Sequence, residues 1–137
     1  MHFRLALPLL SVLACASFAV QAQNPPRDPA AMDFEQARLA AGQDEAKLDG
    51  DQVAELSQKQ SDFMRPLIAR CTRGIRKSEL TPVGLVMELD AKGRVVRTWQ
   101  DVHTPVADCL AAAIKDQAFY TPPKAPFLTA TDLHWAH

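Results

Sequence analysis

The chain has 137 residues, which is enough for one domain and little else. Its 15 Lys and Arg residues almost balance its 16 Asp and Glu residues, so the formal net charge is −1. This balance excludes the strongly basic surface that binds nucleic acid or an anionic membrane, and we expect neither as a partner.

The amino terminus has the three parts of a secretion signal. Residues 1–4 carry the positive charge, residues 5–19 are almost wholly apolar, and residues 20–22 end in a small residue where a signal peptidase cuts. We therefore predict a signal peptide over residues 1–22 and a mature protein in the periplasm, without a membrane span. Its removal takes one basic and no acidic residue, which leaves a net charge of −2.

Two other interpretations of this segment stay open. Residues 3–22 are nearly long enough to span a bilayer as an uncleaved anchor. The residues before Cys15 also permit lipidation of that cysteine. Cleavage after Ala22 is favoured because the apolar core is short and contains Pro8.

Two cysteines, Cys71 and Cys109, remain after the signal is removed. In an oxidising compartment two thiols most simply form one disulfide bond. In the chain-entropy model, closing a loop of this length stabilises the fold by about 4 kcal/mol. That is a large share of the stability of so small a domain.

The first mature segment is predicted to be a linker and a helical extension. Residues 23–31 contain three prolines and form a Pro-rich linker, and residues 32–60 form the helical extension. The first helix in it has weak apolar spacing that Gly42 interrupts, so we expect it to be loosely held.

A second helix starts at a stronger signal. Asp49 can act as its N-cap, and an apolar stripe at helical spacing continues from there to Cys71. Pro66 should kink this helix or divide it near Asp62. Cys71 would then lie on the buried face.

Two strands and a hairpin turn follow. Residues 84–89 alternate in polarity, and residues 94–100 are rich in Val, Thr and Trp. Gly93 lies in the connection between them and can adopt the positive φ that closes a hairpin.

A further helix and a last strand complete the chain. Thr104 and Pro105 form a helix start, and Cys109 lies on the apolar face of that helix. Residues 127–135 then form the last predicted strand.

Five motifs in this half of the chain occur in a set order. They are GLVMEL at residues 84–89, DAKGRVV at 90–96, the helix with Cys109, FYTPP at 119–123 and the strand at 127–135. In order and spacing they resemble the carboxy-terminal domain of the TonB family, and in particular its stand-alone, exported, cysteine-bearing relatives. The resemblance covers about residues 64–135 and identifies a domain over residues 61–137.

The resemblance implies an α+β fold of the order helix-strand-strand-helix-strand. A three-stranded antiparallel sheet would carry two helices on one face, preceded by the amino-terminal helical extension. The last strand would pair with the first and leave an edge open. Members that transduce energy bind receptor peptides by adding a strand to that edge. The only proline-rich spacer here is residues 24–29, so we expect a shared fold without energy transduction.

The sequence contains no catalytic grouping that we can identify. Its carboxylates are scattered, Cys71 and Cys109 are not a C-x-x-C pair, and there is no Gly-rich phosphate loop. His134 and His137 are three positions apart, and in a strand such residues point to opposite faces, which disfavours a shared metal ion. We predict that the protein is not an enzyme and uses no cofactor and no metal.

These observations favour a periplasmic adaptor that binds another periplasmic or outer-membrane protein, by strand addition to the open sheet edge. The predicted contact residues lie on or beside the last strand and after the second helix: Leu128, Ala130, Asp132, His134, Arg73 and Arg76. The alternative is an inhibitor or immunity protein that acts on a periplasmic hydrolase. The sequence predicts neither the identity of the partner nor the oligomeric state.

Overall fold

The computed structural model describes residues 27–136. The predicted signal peptide, Cys15, most of the linker and His137 lie outside the described residues. Within residues 27–136, no helix has the length and apolar character needed to cross a membrane. The elements in chain order are α1 (Phe34–Glu45), α2 (Gly50–Cys71), β1 (Val83–Leu89), β2 (Val95–Gln100), α3 (Pro105–Ile114) and β3 (Phe127–Leu133), with short 3-10 turns at Pro29–Ala31 and Lys77–Glu79.

The three strands form one antiparallel sheet in the order β2-β1-β3. Met87 at the centre of β1 is opposite Thr98 on β2 and Thr129 on β3. A register shift between Glu88 and Leu89 marks a bulge in the β1–β2 hairpin. This arrangement confirms the predicted α+β fold, including the pairing of the last strand with the first.

Helix α2 is one continuous helix, so the predicted division near Asp62 is absent. Asp49 caps its start in a capping box with Gln52, as the sequence indicates. Pro66 lies inside the helix on its exposed side. Because Asp62 is exposed too, water can satisfy the carbonyl that the proline leaves without a donor. The predicted domain boundary between residues 60 and 61 falls within this helix.

One face of the sheet, which we call the disulfide face, is covered by α2 and α3. Leu85, Met87 and Leu89 of β1 are fully buried there. A disulfide bond joins Cys71 at the end of α2 to Cys109 in α3, with 5.7 Å between their Cα atoms. The predicted disulfide is therefore confirmed, and it fastens the two helices of this face to each other.

The opposite face, which we call the α1 face, is covered by α1. Ala37, Ala40 and Ala41 of this helix pack against Val86 of β1 and Leu128 of β3, and all five residues are buried. This packing differs from the loosely held helix that the sequence predicted. Alanine gives a weak apolar pattern, but its small side chain lets the helix backbone come close to the sheet.

The start of α1 is fastened to the sheet by aromatic residues. The indole nitrogen of Trp99 on β2 donates to the carbonyl of Met32 at 3.0 Å. The ring of Phe34 lies over Gly84, where a Cβ would be 3.0 Å from its Cζ atom. Gly84 therefore leaves the space that the ring occupies, so α1 has a fixed position over the sheet.

Candidate functional site

The two edges of the sheet are the candidate binding surfaces, and they differ in what covers them. On β3, alternation places the amides of Leu128 and Ala130 on the side away from β1, because Thr129 between them pairs with Met87. These amides are the donors that an added strand would use.

Both outward amides of β3 are bonded to α1. The carboxylate of Asp44 accepts the amide of Leu128 at 2.9 Å, and the carboxylate of Glu45 accepts the amide of Ala130 at 3.0 Å. The hydroxyl of Thr129 also donates to Glu45, at 2.6 Å. The last two residues of α1 thus close this edge.

A third outward group of β3 is bonded to α2. The side-chain amide of Gln60 donates to the carbonyl of Ala130 at 3.1 Å. Donor and acceptor of Ala130 are therefore both satisfied within the chain. An incoming strand would have to replace these bonds.

Asp44 is the most buried charged residue of the described chain, with 7% of its surface exposed. Burying a carboxylate is costly unless it is paired and hydrogen-bonded. Arg27 supplies the pairing charge at 2.6 Å, and Lys47 lies at 3.7 Å. The amide of Leu128 completes its set of donors.

Farther along the same edge, α1 and β3 are joined by an ion pair. Both terminal nitrogens of Arg38 bond the carboxylate of Asp132 at 2.8 Å. This hydrogen bonding, together with the charge of Asp132, raises the pKa of Arg38 above its usual value. Both side chains are more than 40% exposed, so the pair positions α1 more than it stabilises the fold.

The structure brings together the four contact residues predicted on or beside the last strand, but it corrects the expectation of an open edge. Leu128 is fully buried, Ala130 is half-buried, and Asp132 is occupied by Arg38. His134, just past β3, is exposed. The physical reason is the docking of α1, which weak apolar spacing did not indicate.

The two predicted arginines lie apart from this edge, between α2 and β1. Arg73 follows the end of α2 and is exposed. Arg76 is exposed and bonds Glu79 at 2.5 Å, and this bond lowers the pKa of Glu79. The arrangement matches solvated charges beyond a helix end.

The outer edge of β2 has a covered start and an open end. The amide of Val95 donates to Gln117 at 2.8 Å, and its carbonyl accepts from Asp116 at 2.9 Å. At the other end, the amide of Asp101 donates to Gly84, so it points inward. By alternation the amides of Thr98 and Gln100 point outward.

The outward amides of Thr98 and Gln100 have no acceptor among residues 27–136. The sequence analysis missed this edge because it treated β2 only as half of a hairpin. The available signal was the chain order, since no strand was predicted to follow β2 before the last one.

Charged and aromatic side chains flank the open end of β2. Arg97 bonds Glu88 on β1 at 3.0 Å, and its guanidinium lies 5.9 Å from the ring centre of Trp99. On the other side, the side-chain amide of Gln100 donates to the carbonyl of Val102 at 3.1 Å and to Asp108.

Two further polar features were examined for chemistry. His103 lies 3.2 Å from Asp108, and both are exposed. Tyr120 is buried, and that burial raises the pKa of its hydroxyl. Across residues 27–136, no three His, Cys, Asp or Glu side chains are grouped to hold a metal ion.

Comparison of the chain with protein-family models, curated proteins and solved structures found no significant match.

Proposed function

We propose that this chain is an exported, non-enzymatic module that binds a periplasmic or outer-membrane protein by accepting an extended segment on the open end of β2. The observation that carries the proposal is the pair of unpaired outward amides at Thr98 and Gln100. Main-chain bonds to such an edge provide affinity, and side chains on alternate positions provide selectivity.

The position of β2 favours binding of a short segment. Its start is already paired with residues 116–119, so an added strand has only residues 97–100 and the following turn to pair with. A segment of about four or five residues fits this length. Arg97 beside Trp99 offers a cation and a ring face to its side chains.

The rigidity of the sheet also supports binding by strand addition. The central strand is fixed by partners on both sides, and the disulfide fastens the helices beneath it. An edge that is already ordered loses little conformational entropy when a peptide pairs with it.

The proposed location rests on two observations. Residues 1–22 have the pattern of a secretion signal, and Cys71 and Cys109 form a disulfide. Disulfide bonds persist mainly in oxidising compartments such as the periplasm. The resemblance to the TonB carboxy-terminal domain, whose transducing members bind peptides at a sheet edge, is in keeping with this function.

The test is capture of a partner by crosslinking in periplasmic extract from the native host, with wild type and two variants at one position. Thr98→Pro removes the outward amide without breaking a bond to β1, whereas Thr98→Ala keeps the amide and loses the side chain. We expect wild type and Thr98→Ala to capture the same protein and Thr98→Pro to lose it.

Equal capture by Thr98→Pro and wild type would contradict strand addition at this edge. Circular dichroism and thermal unfolding of Thr98→Pro check that the domain is still folded. If the captured protein is a hydrolase whose activity falls on binding, the partner class is that of the inhibitor alternative.

A further inference from the structure

We propose that the edge of β3 is a second strand-docking surface for a partner's extended segment, and that α1 closes it as a displaceable cap. The inference builds on the proposed function, because it applies the same mode of binding to the other edge of the sheet. It does not depend on β2 being the edge that the first partner uses.

The bonds that α1 and α2 make to β3 are those that an added strand would make. A strand paired with residues 128 and 130 would accept two amides and donate to two carbonyls. Asp44 and Glu45 already accept the two amides, and Gln60 donates to the carbonyl of Ala130. Side chains therefore occupy three of the four positions of an incoming backbone.

Space for the side chains of such a strand exists beside the edge. A groove runs between α2 and β3 on the disulfide face of the sheet. Its lining is small and mixed in polarity, and it includes Ser57, Gln60, Ser61, Met64, Thr131 and Leu133. Alternate residues of a docked strand would project into this groove, and the remainder would face the surface that α1 leaves.

The cap is the least securely held layer of the molecule. The apolar side chains that α1 buries are alanines, whereas the disulfide face buries large residues such as Leu110 and Ile114. Apolar stabilisation scales with buried area, so α1 contributes less of it. The disulfide fastens α2 to α3 but does not reach α1.

The connection between the layers allows α1 to leave alone. Only residues 46–49 join α1 to α2, and they pass through a turn. The ion pair of Arg38 with Asp132 is exposed and adds little to the attachment. Opening of one layer at a lower free energy than global unfolding is a common property of folded proteins.

The first experiment measures the release of α1 by thiol labelling of the oxidised protein. Ala41→Cys places a thiol under α1, and Ala107→Cys places one in α3; both alanines are fully buried in the wild type. If the cap opens alone, we expect Ala41→Cys to be labelled at least about 100-fold faster than Ala107→Cys. Equal labelling rates would overturn the proposal, since α1 would then open only on global unfolding.

The second experiment measures docking with a strand probe. The probe is a fluorescent peptide with the sequence of β1, because β1 already pairs with the inner edge of β3. In fluorescence anisotropy, we expect the double variant Asp44→Ala/Glu45→Ala to bind it at least about 10-fold more tightly than wild type. Adding Ala130→Pro, which removes an outward amide, should abolish that gain.

Labelling of Ala107→Cys in the double-variant background reports whether the disulfide face is still folded. Failure of that variant to bind more tightly, while Ala41→Cys labelling shows α1 released and α3 protected, would overturn the docking surface. Such a result would leave the Thr98-dependent capture untouched, so the two proposals fail separately.

Discussion

The two outer strands of this sheet carry the same kind of backbone edge, but the chain treats them differently. On β3, the outward amides of Leu128 and Ala130 are bonded to carboxylates of α1. On β2, those of Thr98 and Gln100 have no acceptor among the described residues. Unpaired edges invite pairing with other chains, and covering one with a helix prevents it. The difference indicates that β3 is protected and that β2 is available.

The protection also explains the placement of charge at the end of α1. Cations are favoured near a helix carboxyl end, yet this helix ends with Asp44 and Glu45. Their contacts with backbone amides of β3, and with Arg27, offset that unfavourable position. The end of the helix is therefore shaped by the edge that it covers.

The comparison is broken most severely by Asp44→Ala. The substitution removes the acceptor of the Leu128 amide and the partner of Arg27, so we expect the free energy of unfolding to fall by about 2 kcal/mol. Asp44→Asn keeps an acceptor of similar size and should lose less. Urea unfolding measures both, and a change below about 0.5 kcal/mol for Asp44→Ala would show that the cap does not stabilise the fold.

A proline placed on each edge sharpens the comparison. Ala130→Pro removes an amide that is bonded to Glu45, whereas Thr98→Pro removes one without an acceptor. We therefore expect Ala130→Pro to lower the free energy of unfolding by about 1 kcal/mol more than Thr98→Pro does. The order of the two melting temperatures is the measurement, and the reverse order would contradict the assignment of the open edge.

Trp99→Phe weakens the attachment of α1 at its other end. Loss of the bond to Met32 should cost about 1 kcal/mol and should speed the labelling of Ala41→Cys. Trp135→Phe is the matched control, because that indole bonds the carbonyl of Thr81 at 2.6 Å and lies outside the α1 cluster. If both substitutions changed labelling equally, Trp99 would have no specific part in holding the cap.

The smallest expected effect is that of Arg38→Ala. Its ion pair with Asp132 is exposed, so we expect a loss of about 0.5 kcal/mol that declines as salt is added. Thermal unfolding at low and high salt checks this. A loss of several kcal/mol, unchanged by salt, would mean that the pair carries much more of the attachment than its exposure suggests.

Local patterns predicted the elements that local chemistry determines. The capping residues Asp49 and Thr104 start α2 and α3, and Gly93 closes the hairpin with a positive φ. The disulfide followed from counting cysteines and from their places on two apolar stripes. Each of these inferences needs only neighbouring residues or an even number of thiols.

The features that the sequence did not reveal depend on residues far apart in the chain. Asp44 meets Leu128 across 84 positions, and no spacing rule connects them. The alanine face of α1 gave a weak apolar signal although it is almost fully buried. The continuity of α2 depends on Pro66 lying on the exposed side, which requires knowing where the helix docks.

The central claim is that the edge of β3 is closed by the chain itself and that the edge of β2 is open. Amide hydrogen exchange of the oxidised wild-type protein, read residue by residue by NMR, tests it most directly. We predict that Leu128 and Ala130 exchange at least about 100-fold more slowly, relative to their unprotected rates, than Thr98 and Gln100. Equal protection of the four amides, or stronger protection on β2, would contradict the account.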